Sequence, residues 1–186
     1  VLVPTRELAD QVVHVFQEFM PCLTERFSCL AVYGGVSINT QMQAIGRVNI
    51  LVATPGRLLE LVEKRAVRLA SIETLVLDEA DKILNLGFKD EVDRILRLLP
   101  SKRQNLLFSA TLSADLSQVQ QVLLTAPLVF NIEVAADELE LINQMGYSVS
   151  EDRKGPLLRY LIKSQYIDQQ VLVFVSSKLK ADNLVR

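Results

Sequence analysis

The sequence has few residues of the kinds that bind structural metals, and it lacks long apolar runs. Its two cysteines, Cys22 and Cys29, and its single histidine, His14, are too few to form a tetrahedral zinc site from Cys and His ligands. We interpret the cysteines as free thiols of an intracellular protein rather than as a disulfide. No apolar run approaches the ~18 uninterrupted residues that a membrane-spanning helix needs, which predicts a soluble protein.

Excess positive charge is also absent. The formal net charge of −2 gives no overall electrostatic attraction to a polyanion, so contacts with nucleic acid would depend on locally placed donors. With 186 residues, 49% of them apolar, the chain is long enough to bury a core of roughly one domain. It begins in an apolar "VLV" without Met or a recognisable signal peptide, and we interpret it as part of a longer protein.

Short runs of β-branched and aliphatic residues alternate with segments that have helical spacing. Such alternation is typical of an α/β fold, in which a largely parallel sheet carries helices on both faces and binds ligands at the carboxyl ends of its strands. Buried strands are predicted at 1–3, 29–33, 49–54, 74–78, 105–109 and 128–132. Helices are predicted from the apolar spacing of Leu8, Val12, Val15 and Phe19, and at 55–65, 87–99 and 113–125.

The composition changes after Ile132. The stretch "EVAADELELINQMGYSVSEDRKG" is rich in charge and has no strong strand pattern, which predicts a linker over 133–155. Beyond it, "PLLRYLIKSQ" has helical spacing, "VLVFVSS" at 171–177 has the composition of a buried strand, and "KLKADNLVR" begins a helix. These segments predict the start of a second α/β unit.

Three carboxylates follow the predicted strand 74–78, in the motif "DEAD". At the carboxyl end of a buried strand, one of the carboxylates Asp78 and Glu79 could hold Mg²⁺, usually through water, while its neighbour orients or deprotonates an attacking water. The alternative is that these acids only favour the N-terminus of the next helix through its dipole. The motif alone does not separate the two interpretations, since acidic residues after strands are common.

A second predicted strand ends in hydroxyl groups, in "LFSAT" at 107–111. Ser109 and Thr111 could form hydrogen bonds with a neighbouring carboxylate and report its state to another part of the protein. The alternative, which the motif favours when taken alone, is that Thr111 or Ser113 caps the following helix.

Three further motifs follow strands: "PTRELADQ" at 4–11, "YGG" at 33–35 and "TPGR" at 54–57. Each leads into a helix start or a tight turn and leaves backbone N–H groups free to meet phosphate oxygens. Pro55 suits a first helical turn, Gly56 permits close approach, and Arg57 adds a charged fork for phosphate. Taken singly, each motif is better explained by turn chemistry. Together on one sheet edge they favour binding of a nucleic-acid backbone without reading its sequence.

The motifs occur in one order: PTRELA at 4–9, GG at 34–35, TPGR at 54–57, DEAD at 78–81, LGF at 86–88, SAT at 109–111 and VLVFV at 171–175. This set resembles the DEAD-box family of ATP-dependent RNA helicases, and the likeness covers almost the whole chain. The resemblance implies a RecA-like fold. Residues 1–132 would be an incomplete first domain, 133–155 a linker and 156–186 the start of a second RecA-like domain.

The resemblance also implies ATP and Mg²⁺ as cofactors and RNA as partner. Asp78 and Glu79 would serve Mg²⁺ and the hydrolytic water, and Asp81 with Ser109 and Thr111 would couple the state of the nucleotide to domain closure. One RNA strand would be bound by its backbone, so that a duplex is locally unwound or an RNA–protein complex is remodelled. The residues that would bind RNA are Pro4, Thr5, Arg6, Gly34, Gly35, Thr54, Pro55, Gly56 and Arg57.

The sequence departs from the family pattern because it contains no G-x-x-x-x-G-K-[ST] phosphate loop. The family's glutamine motif and the arginine motifs of its second domain are also absent. We therefore expect 1–186 alone to be inactive toward ATP and poorly stable, since the phosphate-loop strand is central to the family's sheet. The alternatives are a non-catalytic RNA-binding scaffold, against which the intact DEAD and SAT argue, and a DNA helicase or other RecA-like ATPase.

Overall fold

The chain folds as two compact units in the computed structural model, Val1–Val129 and Phe130–Arg186. The structure describes residues 1–46, 48–111, 119, 123–132, 143–167 and 169–185. The helix predicted over 113–125 lies largely outside the described residues, although Val119 and Leu123 are helical and buried. No helix in the described part of the chain is both long and apolar enough to cross a membrane.

The first unit contains a parallel sheet. Its strands are β1 (Cys29–Val32), β2 (Ile50–Ala53), β3 (Thr74–Leu77) and β4 (Gln104–Leu107). β1 pairs with β2 and β3 pairs with β4, both in parallel. Leu2 joins the two pairs through parallel bridges to Ala53 and Leu77. The order across the sheet is therefore β1, β2, the segment Val1–Val3, β3 and β4, and all of these end at the same edge.

Five helices follow these strands: α1 (Arg6–Phe19), α2 (Ile38–Ala44), α3 (Pro55–Glu63), α4 (Ala80–Asn85) and α5 (Lys89–Leu98), with a short 3₁₀ turn at Met20–Cys22. Local chemistry sets two of their starts. The Thr5 hydroxyl accepts a hydrogen bond from Leu8 N at 3.3 Å and so caps α1, and Pro55 occupies the first position of α3, as predicted.

The helices cover both faces of the sheet because strand residues alternate between the faces. Val3 and Val52 pack on one face with Ala9 of α1. Leu2 and Ala53, each adjacent in sequence to a residue of the first face, pack on the opposite face with residues of α3 and α5. The predicted α/β architecture with helices on both faces is confirmed in this unit.

The apolar stripe of α1 is wider than its contact with the sheet. Val12 and Phe16 pack beside the buried Ala9, whereas Val15 and Phe19, which the spacing places on the same stripe, are largely exposed. A helix is round and can place only part of a broad apolar stripe against a sheet. The other apolar side chains of the stripe, Val15 and Phe19, therefore face outward.

The second unit contains a 3₁₀ turn at Glu151–Arg153, a helix over Lys154–Gln165 and a helix over Lys178–Val185. Both helices were predicted, although the first begins inside the stretch assigned to the linker. Glu151 accepts hydrogen bonds from Lys154 Nζ at 2.5 Å and from Lys180 Nζ at 2.9 Å. These two ammonium groups lower the pKa of the Glu151 carboxyl to about 2.

Two strand predictions are wrong. Residues 128–132 and 171–175 have no regular secondary structure, and Phe130 and Phe174 are 87% and 88% exposed. Apolar, β-branched composition gives a segment the tendency to form a strand, but a strand exists only when a neighbouring strand accepts and donates its backbone hydrogen bonds. Among the described residues, no strand pairs with either segment.

Candidate active site

Five motifs of the first unit, all except LGF at 86–88, follow strand segments and lie at the carboxyl edge of the sheet. Parallel pairing aligns Val32 with Ala53 and Leu77 with Leu107, so the loops that follow these residues begin at the same level. Across the edge the order of the loops is 34–35, 54–57, 4–6, 78–81 and 109–111. The sheet therefore divides the motifs into two groups, which we call the glycine corner (residues 4–6, 33–37 and 54–57) and the carboxylate corner (residues 78–82 and 109–111).

Asp81 is the buried centre of the carboxylate corner, with 6% of its surface exposed. Thr111 Oγ1 donates a hydrogen bond to Asp81 Oδ2 at 2.8 Å, and Lys82 N donates to Oδ1 at 3.0 Å. Ser109 Oγ donates to the carbonyl of Thr111 at 2.8 Å. The structure thus brings together Asp81, Ser109 and Thr111, and it gives the Thr111 hydroxyl a carboxylate partner.

The protonation of Asp81 reflects two opposed effects. Burial raises the pKa of a carboxyl because it disfavours the charged form. Hydrogen bonds from the Thr111 hydroxyl and the Lys82 N–H, with a further contribution from the Ser109 hydroxyl, outweigh burial and hold the pKa of Asp81 below its ordinary value of 3.8. Asp81 is therefore charged at neutral pH.

Glu79 has a strained backbone, with φ 47° and ψ 48°, in the left-handed region that residues other than glycine rarely adopt. The next residue fixes this conformation, because Ala80 N donates to the Phe108 carbonyl at 3.0 Å across the β3–β4 pair. Asp78 Oδ1 also accepts from Glu79 N at 2.9 Å. Strain of this kind costs of order 1–3 kcal/mol and persists where the surrounding structure imposes it, often at functional sites.

The Glu79 carboxylate forms an ion pair with Lys82, whose Nζ donates to Oε1 at 2.6 Å. Both side chains lie at the surface or close to it, and this pairing raises the pKa of Lys82. The sequence reasoning did not identify Lys82, although the spacing of three residues between an acid and a base on a predicted helix indicates such a pair.

The donor set of the carboxylate corner fits Mg²⁺. This ion is usually bound by one or two carboxylates together with water and substrate phosphates, rather than by a cage of protein ligands. Asp78 Oδ2 accepts no hydrogen bond from the described residues, whereas Glu79 is engaged by Lys82. Within the described ranges, no group of three or more His, Cys, Asp or Glu side chains is placed to hold a metal ion. Asp78 is therefore the residue best suited to hold Mg²⁺.

The glycine corner displays backbone donors. The N–H groups of Gly34, Gly35, Gly56 and Arg57 donate to no other described residue, and both glycines of the first loop are exposed. Gly56 and Arg57 lie in the first turn of α3, where the helix leaves its N–H groups without internal acceptors. The loops at 33–37 and 54–57 are neighbours, since Thr54 N donates to the Val32 carbonyl at 3.1 Å.

Gly35 has a φ of 84°, in the left-handed region that favours glycine. A Cβ added there would lie 4.0 Å from Arg6 Nη1, which places the side chain of Arg6 beside the glycine loop. Arg6 also forms an ion pair with Glu7, in which Nε lies 2.6 Å from Oε1. The structure therefore brings the motifs at 4–6 and 34–35 together, as the common sheet edge predicts.

Arg57 is buried, with 8% of its surface exposed. Its Nη1 donates to Gln41 Oε1 at 2.9 Å, its Nη2 donates to the Val36 carbonyl at 3.0 Å, and its Nε lies 2.9 Å from Glu60 Oε2. The sequence reasoning proposed this guanidinium as a fork for phosphate. The structure places it against protein acceptors.

Gln41 was missed by the sequence reasoning. It is 8% exposed, and its Nε2 donates to the Tyr33 carbonyl at 3.0 Å. A signal for it existed, because Ile38, Gln41, Met42 and Ile45 have the spacing of a buried helix face, on which a lone amide requires hydrogen-bond partners.

The fold and the edge geometry define a class of protein: an α/β protein whose parallel sheet carries its site residues on the loops after the strands. Residues 1–119 match the family model described as DEAD/DEAH box helicase, and the chain belongs to that family. It is 37% identical to the DEAD-box ATP-dependent RNA helicase CshA of Bacillus subtilis, covering 99% of this chain and 37% of that protein. It is 36% identical to DEAD-box ATP-dependent RNA helicase 53 of Oryza sativa subsp. japonica, covering 99% of this chain and 30% of that protein.

Solved structures agree with this assignment. The yeast DEAD-box splicing factor Prp28 is similar with a TM-score of 0.68 and 28% identity, over 98% of this chain and 42% of that chain. A DEAD box protein from the hyperthermophile Methanococcus jannaschii is similar with a TM-score of 0.68 and 29% identity, over 99% of this chain and 48% of that chain. The predicted RecA-like fold is confirmed. The chain spans about a third of the length of the two curated relatives.

Proposed function

We propose that the protein to which this chain belongs is an ATP-dependent RNA helicase, which binds one RNA strand by its backbone and unwinds short duplexes or remodels RNA–protein complexes. The relatives in Bacillus subtilis and rice carry the name of that activity. The observation that carries the proposal is the common sheet edge, where a corner of exposed backbone donors lies beside a corner of carboxylates. The segment Val1–Val3 lies between β2 and β3, which are roughly 10 Å apart, and the loop at 4–6 that follows it is the part of the glycine corner next to the carboxylate corner.

The glycine corner would bind the RNA backbone. Free N–H groups at Gly34, Gly35 and Gly56 can donate to phosphate oxygens, and the first turn of α3 adds the positive end of a helix dipole. Such contacts bind phosphate without reading bases and without needing excess positive charge, which suits a protein with a net charge of −2. The proposed RNA-binding residues remain Pro4, Thr5, Arg6, Gly34, Gly35, Thr54, Pro55, Gly56 and Arg57, the last through its backbone N–H.

The carboxylate corner would act on ATP. Asp78 would hold Mg²⁺, which when bound neutralises charge on the nucleotide phosphates. Glu79 would orient the attacking water and accept its proton, and its strained backbone fixes where the carboxylate can reach. Lys82 Nζ occupies Oε1 of Glu79, so this oxygen becomes available to an attacking water only when the ion pair opens or shifts.

Asp81 would transmit the state of this corner. Its hydrogen bond from Thr111 ties the loop after β3 to the loop after β4, and Ser109 braces the second loop through the Thr111 carbonyl. A shift of the loop at 78–81 is therefore passed to residues 109–111. We propose that this link couples nucleotide hydrolysis to the relative movement of two RecA-like domains, with the first over 1–132, a linker over 133–155 and the second beginning at 156. We further propose that the protein acts inside the cell.

The test is ATP hydrolysis by the intact protein, measured with and without single-stranded RNA. We expect hydrolysis that RNA stimulates, and we expect the segment 1–186 alone to show none. An intact, folded protein that binds RNA but hydrolyses no ATP would favour a non-catalytic RNA-binding scaffold. Stimulation by single-stranded DNA equal to that by RNA would contradict the choice of RNA as substrate.

A further inference from the structure

Gln41 lies outside every motif that the sequence reasoning singled out, yet both polar atoms of its side chain are engaged at the glycine corner. Its Nε2 donates to the carbonyl of Tyr33, and its Oε1 accepts from Arg57 Nη1. The side chain is buried, so water cannot form hydrogen bonds with these two atoms. The two bonds to protein groups satisfy them instead.

Arg57 extends this contact to the other end of the same loop. Its Nη2 donates to the carbonyl of Val36, while its Nε lies beside the Glu60 carboxylate. The carbonyls of Tyr33 and Val36 flank Gly34 and Gly35. The loop is thus anchored on both sides of the two glycines, and the glycines themselves are exposed with unbonded N–H groups.

The arrangement has a mechanical consequence. A glycine pair has more backbone freedom than any other dipeptide, so its N–H groups hold a fixed direction only when the flanking residues are fixed. Donors that are already oriented lose less entropy when they bind phosphate. Burial of a charged guanidinium is costly unless it is paired and hydrogen bonded. Here the two acceptors of Nη1 and Nη2 are those that fix the loop, while Nε donates no hydrogen bond to the described residues and is paired only with the Glu60 carboxylate.

We infer that Gln41 is a positioning residue for RNA binding: together with Arg57 it holds the glycine loop over residues 33–36 so that its N–H groups face the phosphate backbone. In this arrangement the guanidinium of Arg57 acts through the loop and not by direct contact with phosphate. The inference rests on the proposed function, because it assigns a role in binding RNA at that site.

The test uses the intact protein with Gln41→Met, which retains the size of the side chain and removes both hydrogen-bonding atoms. Gln43→Met is the matched control, since Gln43 is exposed on the same helix. The first measurement is the RNA concentration that gives half-maximal stimulation of ATP hydrolysis, together with kcat at saturating RNA and KM for ATP. The second is hydrogen–deuterium exchange of the Thr54 amide, which donates to the Val32 carbonyl at the base of the loop, because the unbonded N–H groups of Gly34 and Gly35 have no protection to lose.

For Gln41→Met we expect the half-maximal RNA concentration to rise about tenfold, with kcat at saturating RNA and KM for ATP unchanged. Exchange at the Thr54 amide should become about tenfold faster, and Gln43→Met should leave all four quantities unchanged. A merely structural defect would instead lower kcat and raise KM for ATP along with the RNA requirement, and that result would overturn the inference.

The two readouts separate failure of this inference from failure of the proposed function. If the unaltered protein neither binds nor responds to RNA, the proposed function is wrong. The role of Gln41 in RNA binding is then wrong as well. The exchange measurement still shows whether Gln41 holds the loop. If the protein responds to RNA but Gln41→Met changes neither readout, the inference alone is overturned. Faster exchange with unchanged or improved RNA affinity would also overturn it, and would favour direct contact between Arg57 and phosphate.

Discussion

The two corners of the sheet edge are built in the same way from opposite charges. The carboxylate corner is organised around the buried anion of Asp81, which accepts from a hydroxyl and a backbone N–H. The glycine corner is organised around the buried cation of Arg57, which donates to an amide oxygen and a backbone carbonyl. In each corner a buried charged side chain ties one loop to the next.

The difference lies in what each corner presents to solvent. The carboxylate corner presents the acceptors Asp78 and Glu79, which suit a metal ion and a water molecule. The glycine corner presents backbone N–H donors at Gly34 and Gly35, which suit phosphate. In the carboxylate corner both the buried group and the presented groups are negatively charged. In the glycine corner the buried group is a cation, and the presented N–H groups carry partial positive charge. The comparison indicates that in both corners the buried charge fixes loops and leaves other groups free for a ligand.

The largest effect is expected at the proposed base. Glu79→Gln in the intact protein should lower ATP hydrolysis by at least about 100-fold, because an amide cannot accept the proton of the attacking water. Affinities for ATP and RNA should change by less than about threefold, since the neutral side chain fills the same space. Steady-state hydrolysis and fluorescence anisotropy with labelled nucleotide and RNA measure these quantities.

Glu73→Gln is the control for that experiment, as Glu73 is exposed at the opposite end of β3. It should leave hydrolysis unchanged. Parallel losses of binding and hydrolysis in Glu79→Gln would show that Glu79 contributes to binding, and the division between a chemical corner and a binding corner would not hold.

The next effect concerns the link within the carboxylate corner. Thr111→Val keeps the shape of the side chain but removes the donor to Asp81 Oδ2, which leaves a buried carboxylate oxygen without that bond. We expect the free energy of unfolding to fall by about 1–3 kcal/mol. Urea denaturation of the intact protein measures the loss. Thr74→Val, at an exposed position in β3, should be close to neutral, and an equal loss in both variants would contradict the role of the Asp81 contact.

Acid titration sharpens the same point. The folded pKa of Asp81 is lowered, so its contribution to stability is fully present above the ordinary value of 3.8 and is lost as the pH falls through the folded pKa. Asp81→Asn should therefore be less stable at neutral pH and should lose less stability on acidification. Circular dichroism of the intact protein between about pH 5 and pH 2 measures this slope.

Glu25→Gln, at an exposed loop position outside the helices, is the control against which the acid transition of Asp81→Asn is compared. If Asp81→Asn retains the unaltered slope, the carboxylate of Asp81 does not contribute to acid sensitivity.

The smallest effect is expected at the glycine corner. Gly35→Ala places a side chain at φ 84°, and because the nearest atom to the new Cβ is Arg6 Nη1 at 4.0 Å, the cost is backbone strain rather than a clash. We expect a loss of about 1 kcal/mol in the free energy of unfolding. Gly34→Ala, whose Cβ would meet nothing within 4 Å and whose φ lies outside the left-handed region, should be nearly neutral in stability. Equal effects of the two substitutions would contradict this account of the loop.

The sequence alone predicted those features of the fold that depend on local patterns. The apolar runs that became β1 to β4 each end in a motif, and the alternation of strands and helices requires parallel pairing, so the motifs had to share one edge. Pro55 marked the start of α3, because proline suits a first helical turn and no later one. The family followed from the resemblance carried by the order and spacing of the motifs, and the roles of the site residues stay a prediction.

Other features were decided by tertiary contacts. The segments 128–132 and 171–175 have strand composition but no partner among the described residues, and composition cannot supply the neighbouring strand that a ladder needs. The strained backbone of Glu79 is held by the hydrogen bond from Ala80 N to the Phe108 carbonyl, and these two residues are distant in sequence.

Arg57 shows most directly what the sequence determined and what it did not. Its identity and its place in the first turn of α3 follow from the chain, and they fix a positive charge at the sheet edge. Whether that charge faces phosphate or protein depends on Gln41 and Val36, which lie 16 and 21 residues away along the chain. Only the packing of α2 and the glycine loop against α3 brings those acceptors within reach. Local chemistry thus set which groups the protein has, and long-range packing set which of them are free to bind.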